Sequence, residues 1–310
     1  MDNIKKLGLT ALAGSMVATS VAAGELSASG SWALSYTSED DDAVNGQAFT
    51  MGNSVTFSGS GELDNGWTAS VSYELDETHA GFDDHSLTLD MNDMGKLTYG
   101  ESTSGSGIDI ASNMVPAVDT AIYSSVGTDT VAYGVARSAQ DSGNLGWTKT
   151  VDDLKVSAEY ARNTSAGGSD TSFGLTYSGV DGLTLAAGVA STATGGAAEV
   201  ESLTYGAKYV TGAWTIGLQI TSVDIEGTTE DEDGTHMGVS YNVNDDVSIG
   251  YIRQETDFSG SKSDEEHSGI QASYSMGSIS FSGRVGKVDN MGGTAGSSDE
   301  DKHITMSVAF

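Results

Sequence analysis

The sequence predicts an all-β fold, a membrane-set antiparallel barrel of sixteen strands with lipid outside and water inside. Three observations carry this expectation. Apolar residues recur at every second position along most of the chain. Connections alternate between tight turns and long polar loops. After the leader, no run approaches the roughly 20 apolar residues of a membrane-spanning helix.

The leader comes first in the chain. Lys5 and Lys6 give it a basic start, and the apolar run from Leu7 to Val21 is too short and too rich in Ala, Gly and Ser to span a bilayer. Ala22, Ala23 and Gly24 are the small residues of a processing site, so residues 1–23 read as a secretory signal and 24–310 as one exported domain. With no cysteine, that domain has neither disulfides nor thiolate chemistry. Acidic residues outnumber basic ones by 44 to 13, a net charge of −31. That balance excludes nucleic acid as a partner, because binding phosphates needs clustered Lys and Arg. So acidic a composition also suits disorder, but the regular alternation argues against it.

The strands follow. Trp67, Ala69, Val71, Tyr73 and Leu75 share one face, and Thr68, Ser70, Ser72 and Glu74 the other. Phe173, Leu175 and Tyr177 oppose Gly174, Thr176 and Ser178. Leu203, Tyr205, Ala207 and Tyr209 oppose Ser202, Thr204, Gly206 and Lys208, and later segments repeat the pattern. A soluble sandwich alternates in the same way, burying its apolar face against a second sheet. The connections separate the two architectures. Tight turns fall at 64–66, 92–95, 152–153, 181–182, 211–212, 244–246 and 276–278. Long polar loops lie between them at 38–52, 102–127, 192–200, 226–235, 258–266 and 289–301, with intermediate ones at 78–84 and 163–170. Short turns on one side and long loops on the other are the asymmetry of a membrane barrel. A first count reaches seventeen strands. Reading residues 128–151 as one long strand, bulged near 138–143, restores the even number that closure requires; fourteen and eighteen are the other even counts open to it.

The chain closes with KHITMSVAF, placing Ile304, Met306, Val308 and Phe310 at alternate positions. With this ending, the signal and the alternating loops, the sequence resembles the Gram-negative general porin family along essentially the whole mature chain, as architecture more than as close identity. The resemblance implies that the last strand closes the barrel and that its terminal Phe310 is read by the outer-membrane assembly machinery. It implies that the third long connection, 102–127, folds inward as a constriction loop; here that connection is the longest and holds the one proline, Pro116. It further implies a homotrimer in outer-membrane lipid, passing small hydrophilic solutes and ions passively, with no cofactor and no catalytic residue. Residues 78–84 are short for the loop that latches subunits in that family.

The charges depart from the family's usual plan, which sets basic residues on the wall against carboxylates on the loop. Between Glu25 and Tyr99 the one basic residue is Lys96. By alternation the lumen face carries Glu74, Asp90, Lys96, Glu159, Lys208 and Arg284, and the inward loop adds Asp109 and Asp119, with Glu101 at its base. Carboxylates outnumber cations on this path, which predicts a modest cation preference. The opposing reading puts them in wide vestibules, screened over about 8 Å.

The runs SEDDD (38–42), EDED (230–233), SDEE (263–266) and SDED (298–301) all lie on the long-loop side. They read as a solvated face, with loose divalent-cation binding as the sharper alternative. His236, His267 and His303 begin alternate strands and point inward, on the order of 10 Å apart. That is too far to share a metal at a bond of about 2 Å.

Two other functional classes fit part of the sequence. A secreted β-rich adhesin or structural protein would share the composition, but it should show a fixed repeat. An outer-membrane barrel enzyme would draw on HAGFDDH (79–85), but no positioned base is legible there, nor a G-x-S-x-G, H-E-x-x-H or P-loop motif elsewhere.

Overall fold

The computed structural model describes residues 26–39, 47–76, 84–100, 106–117, 143–163, 168–193, 199–227 and 231–310. Sixteen antiparallel strands form one closed barrel in which each strand pairs with its neighbours in sequence and the first pairs with the last. They are β1 (Leu26–Glu39), β2 (Gln47–Glu62), β3 (Thr68–Asp76), β4 (His85–Asp90), β5 (Lys96–Gly100), β6 (Asn144–Val151), β7 (Leu154–Asn163) and β8 (Gly168–Val180). The second half continues with β9 (Leu183–Ala193), β10 (Glu199–Thr211), β11 (Trp214–Ile225), β12 (Glu232–Asn242), β13 (Val247–Phe258), β14 (Glu265–Met276), β15 (Ile279–Asp289) and β16 (Ser298–Ala309).

Burial is inverted relative to a water-soluble protein. On β11, Trp214, Ile216 and Leu218 face outward and are exposed, while Gly217, Gln219 and Thr221 are buried on the lumen side. Phe173 is 58% and Ile270 67% exposed, whereas the largest fully buried side chains include His236, His267, Gln219, Gln254, Gln271 and Glu265. Apolar side chains on an exposed surface are stable there only if the solvent is lipid. Closure leaves no edge of unpaired backbone groups to desolvate.

The tight turns all lie at one end, together with both strand termini. Asp152 sits at φ 52° in the two-residue turn between β6 and β7, and Gly277 at φ 64° between β14 and β15. Positive φ at such positions matches the twist of the flanking strands. At the other end the strands run further than the sequence suggests. β1 reaches Glu39 and β2 begins at Gln47, inside the expected loop 38–52; β12, β14 and β16 likewise begin inside expected loops. The ladder hydrogen bonds continue past the lipid, where no apolar alternation marks them in sequence. Most of the long strand expected at 128–151 lies outside the described residues, and β6 begins at Asn144.

Two details lock the ends. Phe310 exchanges backbone hydrogen bonds with Gly30, N to O at 3.0 Å and O to N at 2.8 Å, and its ring lies over Gly30, where a Cβ would stand 2.5 Å from Cε2. At the long-loop end, Glu265 meets His267 Nε2 at 2.6 Å and also accepts the Gly292 N–H, pinning the β15–β16 connection to β14.

Candidate functional site

The lumen has two unlike walls. Along β7 to β12 it holds an inward segment, residues 106–117, which opens with a short 3-10 helix, Gly107–Ala111. The wall grips this segment through polar side chains. Ser157 accepts the Gly107 N–H at 2.7 Å and Ser172 the Ile108 N–H at 3.1 Å. Thr176 donates to the Ile110 carbonyl at 2.9 Å. Gln219 accepts the Met114 N–H at 3.1 Å and is itself held by donating to Thr204 at 3.0 Å. A segment without a sheet partner thereby has four of its backbone groups satisfied by the wall.

Apolar packing adds to the grip. Ile108, Ala111, Met114 and Val115 are all buried, with Ala111 and Met114 packed on Ala186. Burial of the Ile108, Met114 and Val115 side chains contributes about 1.5–3 kcal/mol each. The approach is close because the wall presents glycine. A Cβ at Gly174 would stand 2.2 Å from the Gly107 carbonyl oxygen, and one at Gly217 would stand 2.0 Å from that of Met114. Gly188, Gly206 and Gly238 receive Ile108, Met114 and Val115 in the same way. Five successive strands, β8 to β12, each give one glycine to this track.

The opposite wall, β1 to β5, is lined with hydroxyls. Ser31 and Ser54 share a hydrogen bond of 3.1 Å, Thr88 and Thr98 one of 3.0 Å, and Ser35 reaches Thr305 of β16 at 2.9 Å. Ser58, Ser60, Ser70 and Ser72 continue the surface by register.

The residues expected in the pore fall into several groups. Glu74 faces the lumen toward the long-loop end. Asp90 and Lys96 form an ion pair of 3.0 Å at the short-turn end. Glu159 stands beside Gly107 and Ser172, Asp109 is half-buried on the segment, and Pro116 rests on Gly217. Lys208 is paired in register with Gly217. Glu101 and Asp119 lie outside the described residues.

Arg284 is a correction. It points inward, but its side chain is 1% exposed and donates to Asp301 at 2.7 Å, so it is part of the wall's structure and presents no free charge to the pore. His236 and His267 face inward two strands apart, flanking Gln254, but His303 sits at another level, opposite Arg284. Sequence reasoning missed Lys155, which shares the lumen face with Ser157 and pairs with Thr176, and it missed the gripping residues. A signal for the track was available: glycine recurring at lumen-side positions of successive strands.

A family model described as Gram-negative porin matches residues 8–304. The chain belongs to the Gram-negative porin family. Several solved structures share its barrel at low identity. An anion-selective porin from Comamonas acidovorans matches with a TM-score of 0.70 and 17% identity, over 93% of this chain and 100% of that one. OmpT of Vibrio cholerae, in a trimer form, matches with a TM-score of 0.71 and 14% identity over 93% and 100%. A mutant porin of Rh. blastica matches with a TM-score of 0.65 and 15% identity over 92% and 100%. No curated protein sequence matches this porin. Family and fold together make it an outer-membrane channel rather than an enzyme.

Proposed function

We propose that this porin is a passive, water-filled diffusion channel for small hydrophilic solutes and ions, with a modest preference for cations. The observation that carries the preference is the charge on the long-loop half of the lumen. Glu74, Asp76 and Glu232 face inward there at partial exposure, with Asp170 and Asp299 set more deeply in the wall, and among the described residues the one lumen-side Lys or Arg near them is the buried, paired Arg284. Carboxylates around a low-dielectric passage raise the local concentration of cations. Lys155 and Lys208, near the inward segment, weaken the effect without reversing it. A porin of the same fold is anion-selective, so the barrel leaves the sign of selectivity open and the lumen charges decide it.

The hydroxyl wall suits passage without capture. Each hydroxyl both donates and accepts, so it substitutes for water around a solute of either polarity. Passive transport of this kind calls for no cofactor, and the acidic loops hold divalent cations only loosely. The working form is a homotrimer, reached after removal of residues 1–23 and insertion by the assembly machinery that reads the Phe310 end. The test is the reversal potential of single channels in a planar bilayer under a KCl gradient. A cation-favouring potential that shrinks in E74Q/D76N supports the reading, and an anion-favouring one overturns it.

A further inference from the structure

The outer surface carries a feature that the channel does not use. On β13 to β16, at the long-loop border of the apolar band, three cations face outward. Arg253 stands on β13, Lys287 on β15 and Lys302 on β16. The register sets Arg253 and Lys287 on either side of Ser268 of β14, and Lys302 beside Val285, one step nearer the membrane. Strands lie about 4.8 Å apart, so Arg253 and Lys287 flank Ser268 across roughly 10 Å.

Directly below on the same face are Ile270, 67% exposed, then Val285 and Ile304, a strip continuous with the apolar band of the barrel. By register β12 presents Met237 beside Arg253, and the outward charges nearest the loops on β10 to β12 are Glu201, Asp224 and Asp233. Three of the four outward cations on the long-loop half of the described strands therefore stand on β13 to β16, the fourth being Arg162 of β7.

We propose that this arc is a seat for a phosphate-bearing lipid of the outer leaflet, its phosphate between Arg253, Lys287 and Lys302 and its chains along Ile270, Val285 and Ile304. Guanidinium and ammonium groups form their strongest hydrogen bonds with such oxygens.

The neighbouring carboxylates set the direction of approach. Glu255, Glu266 and Asp289 stand side by side in register on the loop side of the cations. Arg253 reaches Glu266 at 2.9 Å and Glu255 at 3.5 Å, and Lys287 reaches Asp289 at 2.9 Å. These pairs orient the two cations and repel anions arriving from solvent. Glu300 lies opposite Lys287 and narrows the seat on that edge. Lys302 makes no ion pair among the described residues and faces the membrane side. A phosphate carried in the membrane plane meets cations and the Ser268 hydroxyl first, whereas free phosphate meets carboxylates first. The inference rests on the barrel's placement in the membrane and not on which ions its lumen prefers.

The test is native mass spectrometry of the full mature chain, delipidated in a neutral maltoside detergent and titrated with phosphatidic acid, with diacylglycerol of the same chains, and with inorganic phosphate. Phosphatidic acid is expected to bind while diacylglycerol and inorganic phosphate do not. R253Q/K287Q/K302Q should weaken that binding about tenfold or more, the weight of one or two charge-assisted hydrogen bonds. K149Q, an outward lysine at the other end of the barrel, should leave it unchanged. If the triple variant does not fold, K302Q alone keeps the test open, because removing a residue without an ion pair leaves no carboxylate stranded. Equal binding of diacylglycerol, displacement by inorganic phosphate, or full affinity in the folded variants would overturn the proposal.

Discussion

The two walls of the lumen obey one alternation and differ in what they put on its inward positions. β1 to β5 offer serine and threonine; β8 to β12 offer glycine where the inward segment lies. The difference follows from what each wall meets. A hydroxyl facing water loses nothing, whereas a side chain facing another backbone at van der Waals distance has no room. The lumen is thus built as a smooth polar half and a half that carries its own filling.

Breaking the boundary between the halves should have the largest effect. Arg284→Gln leaves Asp301 as a buried charge without its guanidinium, a loss of about 3–5 kcal/mol. The measurement is urea unfolding followed by the loss of heat-resistant mobility, and an R284M/D301L double variant should recover much of the loss.

Filling the track comes next. Gly217→Val places atoms where the Met114 carbonyl lies and costs about 1–3 kcal/mol by overpacking. With the segment pushed toward the axis, single-channel conductance should fall. Gly66→Asn, at a turn with open space around it and a positive φ that asparagine tolerates, should leave conductance unchanged.

Gln219→Leu removes the acceptor of the Met114 N–H and costs about 1–3 kcal/mol for an unsatisfied buried donor. Its signature is increased current noise at unchanged fold, since the segment keeps its other anchors.

The smallest stability change sharpens the comparison from the other side. S54R/S70R on the hydroxyl wall should move barrel stability by less than about 0.5 kcal/mol per site, as is usual for surface positions. It should still shift the reversal potential toward anions. An unchanged potential would mean that this wall does not border the ion path.

Much of this was legible in the residues. Period-two segments such as Trp67–Leu75 marked the strands because lipid and water sort side chains with the same period as the pleat. Strand ends on the long-loop side were not legible, since β12 and β16 begin with acidic residues that read as loop. Glu74, Lys96 and Lys208 could be placed by parity, but parity says nothing of depth, so Arg284 passed for a pore charge until its partner Asp301 appeared on the next strand. Lys155 obeyed the same parity and needed only to be counted.

By itself, then, the chain determined an antiparallel barrel with an even number of strands and an apolar outside, because alternation and even closure are local and combinatorial properties, and the strand pairing fixed that number at sixteen. Only the tertiary structure decided where residues 106–117 lie, which five glycines receive them, and which charges are spent on the wall. Those depend on register across strands far apart in sequence, where one residue's place is set by the backbone that arrives opposite it.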